Sequence, residues 1–88
     1  MPERDVKIVN KLGIHARPAA EIVKTAGKFK SNITMISDDL EVNAKSIMGV
    51  MMLAAEFGST VTLRATGDDA EAALDALSAV IANKFGES

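Results

Sequence analysis

Residues 32–43 read NITMISDDLEVN, and this stretch decides the fold because it predicts a β-hairpin. Ile33 and Met35 alternate with polar residues, as in a strand with one buried face. The two aspartates at 38–39 are a turn signal, and residues 40–43 continue as a second short strand. A hairpin placed between helical segments indicates an α+β protein.

The remaining elements follow from the spacing of apolar residues on both sides of the hairpin. Val6 and Ile8 alternate as a first strand, and residues 61–65 alternate as a fourth. Helical spacing before Gly27 predicts a helix over residues 16–26, with the apolar set Ala16, Ala19, Ala20, Val23 and Ala26. The last helix is predicted by one apolar stripe, which comprises Ala70, Ala73, Leu74, Leu77, Val80 and Ile81.

Local signals set the expected ends of the other helices. Ser46 is a good N-cap, and Gly58 is a good stop, for a middle helix over residues 47–56. Asp68, followed three residues later by Glu71, fits a capping box at the start of the last helix.

The order of these elements predicts a single domain over residues 1–88. The last helix is expected to carry Lys84 in its final turn, just before Gly86. A four-stranded antiparallel sheet covered on one face by three helices is the simplest way to pack this order.

The composition narrows the classes of function. The 88 residues carry a formal net charge of −2, no cysteine and three aromatic residues, so we expect neither a nucleic-acid partner nor a disulfide or thiol site. The longest apolar run, residues 47–55, is far shorter than the roughly 20 residues of a membrane helix. We therefore expect a soluble, cytoplasmic protein with no metal and no cofactor.

His15, the single histidine, lies at the start of the first predicted helix, within the segment GIHARP of residues 13–18. The first N–H groups of a helix lack intrahelical partners, so an anion is stabilised there. Arg17 adds a fixed charge and a forked geometry suited to phosphate oxygens. The same field favours the neutral, nucleophilic ring, so His15 is interpreted as a phosphoryl acceptor. A capping or surface role is the alternative.

The middle helix is apolar on every side, which is unusual for a helix that covers a sheet. One face could comprise Ile47, Val50, Met51 and Ala54, and another Met48, Met52 and Ala55. Either the helix is buried all round or a methionine face is exposed for docking, with Met48 as the expected contact. We favour docking, because burial on all sides is hard to arrange in so small a domain and methionine adapts well at binding surfaces. Ser46 is expected to be a cap worth about 1 kcal/mol. Alternatively, Ser46 is a regulatory phosphorylation site, and a phosphate there would repel an acidic partner.

The whole chain resembles the HPr family, the histidine-containing phosphocarrier proteins of the bacterial phosphoenolpyruvate:sugar phosphotransferase system. Two separated motifs carry the resemblance: GIHARPAA at residues 13–20 and NAKSIMGVM at residues 43–51. The resemblance implies an open-faced β-sandwich of βαββαβα order.

The resemblance also implies roles for particular residues. His15 would take a phosphoryl group on Nδ1 from phosphorylated enzyme I and pass it to the EIIA domain of a sugar permease. Arg17 would position and neutralise the phosphate. The protein would be a monomeric, stoichiometric carrier rather than an autonomous catalyst. Its docking surface would comprise Ala16, Ala20, Lys24, Ile47, Met48 and Met51.

The sequence around Ser46 resembles family members that are regulated by an HPr kinase/phosphorylase. In those members the serine phosphate blocks transfer from enzyme I and promotes binding to a carbon-catabolite regulator. The presence of His15 disfavours a related branch that lacks this histidine. The motifs do not exclude the nitrogen-related phosphocarriers, which serve a regulatory relay.

Two other classes of function are alternatives to a phosphocarrier. A non-catalytic regulator could bind through the methionine-rich helix, with His15 incidental. A hydrolytic or metal-dependent enzyme is disfavoured because the chain has one histidine and no cysteine. Its carboxylate pairs at 38–39 and 68–69 are better explained as turn and cap residues.

Overall fold

The computed structural model describes residues 2–86. The chain forms strands β1 (Glu3–Lys7), β2 (Asn32–Ser37), β3 (Leu40–Asn43) and β4 (Thr60–Thr66), and helices α1 (Ala16–Ala26), α2 (Ile47–Leu53) and α3 (Ala70–Ala82), with a short 3₁₀ turn at Lys84–Gly86. Within this described range, none of the helices is long and apolar enough to span a membrane.

The four strands form one antiparallel sheet in the order β1-β4-β2-β3. Val6 pairs with Val61 and Met35 pairs with Leu63, so the apolar residues of neighbouring strands meet on one face. Met35, Val61 and Leu63 are fully buried there under the helices. The predicted open-faced β-sandwich with three helices on one side is confirmed.

The hairpin between β2 and β3 is confirmed: β3 has its predicted bounds, and β2 extends on both sides of the predicted Ile33 and Met35. Ser37 pairs with Leu40 across a two-residue turn. Both turn residues, Asp38 and Asp39, have positive φ, at 49° and 69°. This is the twist that a tight hairpin requires, and aspartate tolerates it better than most residues.

Helix α1 has the predicted boundaries, but its buried face differs from the alanine set. Ile22 is completely buried, whereas Ala16 and Ala20 are exposed. The buried side chains of the helix are Pro18, Ala19, Ile22, Thr25 and Ala26. The core contact of α1 therefore centres on Ile22, and the two exposed alanines remain at the surface near the start of the helix.

Helix α2 ends three residues earlier than predicted. Ala54 adopts a left-handed conformation with φ of 50°, and its N–H donates to the carbonyl of Met51 at 3.2 Å. The expectation of a helix over residues 47–56 with Gly58 as the stop is wrong. The chain leaves the helix at Ala54 because the next residue makes a backbone contact with the segment before α1.

The start of α3 also differs from the prediction. The N-cap residue is Asp69, not Asp68, and it makes no side-chain capping bond. Its carboxylate instead accepts the N–H groups of Lys30 at 2.8 Å and Ser31 at 3.0 Å, together with the Ser31 hydroxyl. The predicted capping box of Asp68 and Glu71 is therefore wrong, because Asp69 occupies the cap position and its own carboxylate is taken by a tertiary contact.

The end of α3 lies earlier than predicted. The helix stops at Ala82, and Lys84 belongs to the following 3₁₀ turn rather than to a last helical turn. Phe85 in this turn is buried and belongs to the core.

The loop of residues 10–14 holds the start of α1 against the end of α2. The Ile14 N–H donates to the Ala55 carbonyl at 2.8 Å. Gly13, at φ of +70°, lies so close that a Cβ there would come 2.6 Å from the Ala55 carbonyl oxygen. The buried side-chain amide of Asn10 donates to the Gly13 carbonyl at 2.7 Å, and this bond holds the loop in its conformation.

Asp69→Asn is predicted to lower the melting temperature at neutral pH. The Ser31 hydroxyl and the Lys30 N–H lower the pKa of Asp69 below its usual value of 3.8. The carboxylate is therefore bound more strongly in the folded protein, and its contribution is complete above about pH 3.8 and lost as the pH falls through the folded pKa. Thermal melts from pH 7 to pH 2 should show the wild type converging on the variant at low pH.

Asp68→Asn is the matched control for this change, because Asp68 is an exposed neighbour that has the same charge. An equal loss in Asp68→Asn, or an unchanged melting temperature in Asp69→Asn, would contradict the assigned role.

Gly13→Ala is predicted to destabilise the protein by more than Gly58→Ala, as measured by urea unfolding. Both glycines have positive φ, at +70° and +86°, so each alanine faces a conformational cost of about 1–2 kcal/mol. A Cβ at Gly13 also meets the backbone of Ala55 and Glu56, whereas a Cβ at Gly58 meets nothing within 4 Å. Equal losses of unfolding free energy in the two variants would show that the close backbone approach at Gly13 does not add to the destabilisation.

Candidate functional site

His15 is the N-cap residue of α1, as the sequence indicates. Its backbone is extended, at φ of −116° and ψ of −164°, and its carbonyl accepts the first helical bond from the Ala19 N–H at 2.9 Å. The ring is half-buried at the surface. Ala16 and Arg17 have N–H groups without an intrahelical partner by position, and Pro18 has none, so the helix presents donors to an anion held beside His15.

A cationic row runs along α1 from this end. Arg17, Lys24 and Lys28 are exposed, and Glu21 between them is half-buried. Arg17, Glu21 and Lys24 are four and three residues apart and so lie on one side of the helix, and Lys28 follows just beyond its end. Arg17 is therefore the permanent charge nearest to His15 in sequence, while the lysines extend the positive field along the surface.

Helix α2 exposes a continuous apolar surface, here called the α2 patch. Met48 and Met52 are 73% and 67% exposed, whereas Val50 and Leu53 of the same helix are buried in the core. The predicted exposure of Met48 and Met52 is confirmed, whereas Ala55, which was expected on the same face, is buried. Ile47 and Met51 of the other predicted face are also exposed. The patch comprises Ile47, Met48, Met51 and Met52.

The fold brings the end of α2 to the start of α1. The two helices pack against each other. The Ile14 N–H to Ala55 carbonyl bond joins the residue before His15 to the segment after α2. His15, the exposed Ala16 and the carboxyl end of the α2 patch therefore belong to one region of the surface.

Ser46 lies at the other end of α2 and is its N-cap, as predicted. Its Oγ accepts the Gly49 N–H at 3.1 Å, and its carbonyl accepts the Val50 N–H at 2.9 Å. The residue is half-buried while its hydroxyl caps the helix. The whole length of α2, about 10 Å for seven residues, separates Ser46 from the end of the helix nearest His15.

Two exposed apolar residues in the loops near His15 were not singled out from the sequence. Leu12 is 74% exposed in the loop before Gly13, and Phe57 is 61% exposed just before Gly58. These loops lie together, because the Ile14 N–H bond reaches Ala55 of the second loop. The sequence offers no signal for this exposure, because Phe85 also precedes a glycine and is buried.

Comparisons with known proteins agree on one family. A family model described as the phosphorylation site of the HPr component of the phosphotransferase system matches residues 2–83. The phosphocarrier protein HPr of Cupriavidus necator is 56% identical over 87 residues, which cover 99% of this chain and 98% of that protein. The phosphocarrier protein NPr of Shewanella violacea is 43% identical over 86 residues, covering 98% and 94%.

Solved structures give the same result. The crystal structure of HPr from Thermoanaerobacter tengcongensis superposes with a TM-score of 0.95 at 52% identity, covering 100% of this chain and 99% of that one. Crh of Bacillus subtilis, a catabolite repression protein whose crystal structure is a dimer with a swapped domain, superposes at 0.77 with 43% identity, covering 96% and 97%. The chain therefore belongs to the HPr family of phosphocarrier proteins of the phosphotransferase system.

Proposed function

We propose that His15 accepts a phosphoryl group from phosphorylated enzyme I and passes it to the EIIA domain of a sugar permease. The observation that carries the proposal is the position of His15 at the start of α1, beside exposed Arg17 and the end of the α2 patch. Membership of the HPr family supports this chemistry.

The transfer needs little covalent machinery from this chain. The Nδ1 lone pair attacks phosphorus, the bond from phosphorus to the enzyme I donor breaks, and a P–N bond forms. The N–H groups at the start of α1 and the Arg17 guanidinium bind the phosphoryl oxygens, so that charge is stabilised without burial. The same atoms then release the group to the acceptor in a second in-line displacement.

Enzyme I and EIIA would use nearly one surface of this protein in turn. Apolar contact comes from Ile47, Met48 and Met51 of the α2 patch and from Ala16 and Ala20 of α1, which are all exposed. Lys24 steers acidic partners and acts mainly on the association rate. A small apolar contact with a charged rim allows fast release, which a carrier between two partners requires.

Ser46 is proposed as a regulatory phosphorylation site for an HPr kinase/phosphorylase. A phosphate there adds a charge of about −1.5 to −2 next to the α2 patch, which repels an acidic partner. The fold would stay intact, because the core residues of α2 are Val50 and Leu53. In this state the surface would instead suit a carbon-catabolite regulator.

The alternative function is a nitrogen-related phosphorelay. The 43% identity with an NPr protein supports it, and the 56% identity with an HPr protein favours the sugar branch. We propose a monomer as the working form. The swapped dimer of Crh makes the oligomeric state a quantity to measure by light scattering alongside the transfer assays.

The first test is intact mass after incubation with phosphoenolpyruvate and an enzyme I that is active on a control carrier. The wild type is expected to gain one acid-labile phosphoryl group and His15→Ala none. Onward transfer to a sugar EIIA and to a nitrogen-branch EIIA then separates the two functions. No gain in the wild type would overturn the proposal.

Arg17→Glu and Lys28→Glu provide a matched pair in the same assay. Both residues are exposed, but Lys28 lies beyond the opposite end of α1. Phosphoryl acceptance should fall much further in Arg17→Glu, with its melting temperature unchanged. A collapse of thermal stability would instead make Arg17 structural.

Ser46→Asp is predicted to slow phosphoryl acceptance at His15, whereas Ser46→Asn is not. Aspartate and asparagine cap a helix about equally well, so the pair differs in charge and not in capping. Rates of transfer from enzyme I, measured together with thermal melts, check this. Equal rates in both variants would leave Ser46 with its capping role alone.

A further inference from the structure

The methionines within residues 2–86 are divided between the core and one exposed surface. Four of the five lie in the described residues. Met35 is fully buried in β2, whereas Met48 and Met52 are the most exposed residues of α2 and Met51 is 45% exposed. The two side chains that α2 places in the core are valine and leucine. The sulfur of this protein is therefore concentrated where partners are proposed to dock.

Methionine thioethers supply all the redox-active sulfur of the chain, because it contains no cysteine. Exposed methionine is converted by peroxides to the sulfoxide, which is polar and is reduced again by methionine sulfoxide reductases. Leucine or isoleucine would give the same apolar surface without this chemistry. Ile47, the fourth member of the α2 patch, is such an inert residue.

We propose that Met48, Met51 and Met52 form a reversible oxidation site that weakens partner docking when the cell contains peroxide. A sulfur lone pair attacks one peroxide oxygen, the O–O bond breaks, and hydrogen peroxide leaves as water while sulfur gains one oxygen. In the reverse reaction two thiols of a reductase become a disulfide and the oxygen leaves as water.

The physical effect falls on the surface and not on the fold. A sulfoxide oxygen is a strong hydrogen-bond acceptor, and burying it against an apolar partner carries a desolvation cost. Helix α2 is held by buried Val50 and Leu53 and by the Ser46 cap, and these contacts do not use the exposed thioethers. Oxidation of Met35 would act differently, because it would place a polar oxygen in the centre of the sheet.

The test compares the wild type with the variant Met48→Leu/Met51→Leu/Met52→Leu after titration with hydrogen peroxide. Peptide mass mapping is expected to show oxygen added at Met48, Met51 and Met52 before Met35, with an unchanged thermal melt. The rate of phosphoryl transfer from enzyme I at low carrier concentration should fall about tenfold in the oxidised wild type. The rate of the wild type should recover after treatment with both sulfoxide reductase types. The leucine variant should show the same rate before and after peroxide, whatever its untreated rate is.

The inference rests on the proposed function. The transfer rates before and after oxidation distinguish a failure of the proposed function from a failure of the oxidation site. If the untreated protein accepts no phosphoryl group, the proposed function is overturned. If the untreated protein is active and the selectively oxidised protein transfers at the same rate, the oxidation site is overturned instead. Oxidation of Met35 at the rate of Met48 would also overturn it, because the chemical selectivity would be absent.

Discussion

The contact on which the rest of the site depends is the backbone approach of residues 13–14 to residues 55–56. The Ile14 N–H to Ala55 carbonyl bond is 2.8 Å long, and both residues are buried. Because Gly13 has no Cβ, the two backbones can lie in direct contact. This contact fixes where α1 begins and where α2 must end, and so it sets His15 relative to the α2 patch. The left-handed Ala54 is its counterpart, since the chain has to leave the helix there to present the Ala55 carbonyl.

A phosphocarrier must hold a charged group and also give it away. A deep pocket would stabilise the group but would block the second partner. The start of α1 offers donors and a positive field at an exposed position, and Arg17 adds charge on a side chain that solvent reaches. In the proposed function, the stabilisation would therefore be moderate and open to both partners, and the apolar α2 patch would supply docking that ends quickly.

Several elements could be predicted from the sequence because their signals are local. The bounds of α1 and β3 and the turn at 38–39 follow from spacing, a stop glycine and a pair of aspartates. The end of α2 and the start of α3 could not be predicted, because residues distant in the sequence determine them. Ala54 turns out of its helix to satisfy a contact with Ile14, and the Asp69 carboxylate is taken by donors 38 and 39 residues away. The positions of His15 and Ser46 as caps, and of Met48 and Met52 on one face of α2, could be predicted from local spacing. The exposure of Leu12 and Phe57 could not, because it depends on how the two loops pack.

The brevity of α2 explains how its surface can change without loss of the fold. A seven-residue helix is not stable by itself, so it forms because Val50 and Leu53 join the core and Ser46 caps its start. These three anchors leave the four residues of the α2 patch outside the core, where their chemistry contributes little to stability. In the proposed scheme, charge near Ser46 and oxygen on the methionines would therefore act on partner binding, while the sheet and α3 keep the molecule folded. A change at Ser46 that preserves the fold must therefore keep an oxygen that accepts the Gly49 N–H. The capping bond stabilises the helix, whereas an added charge acts at the surface.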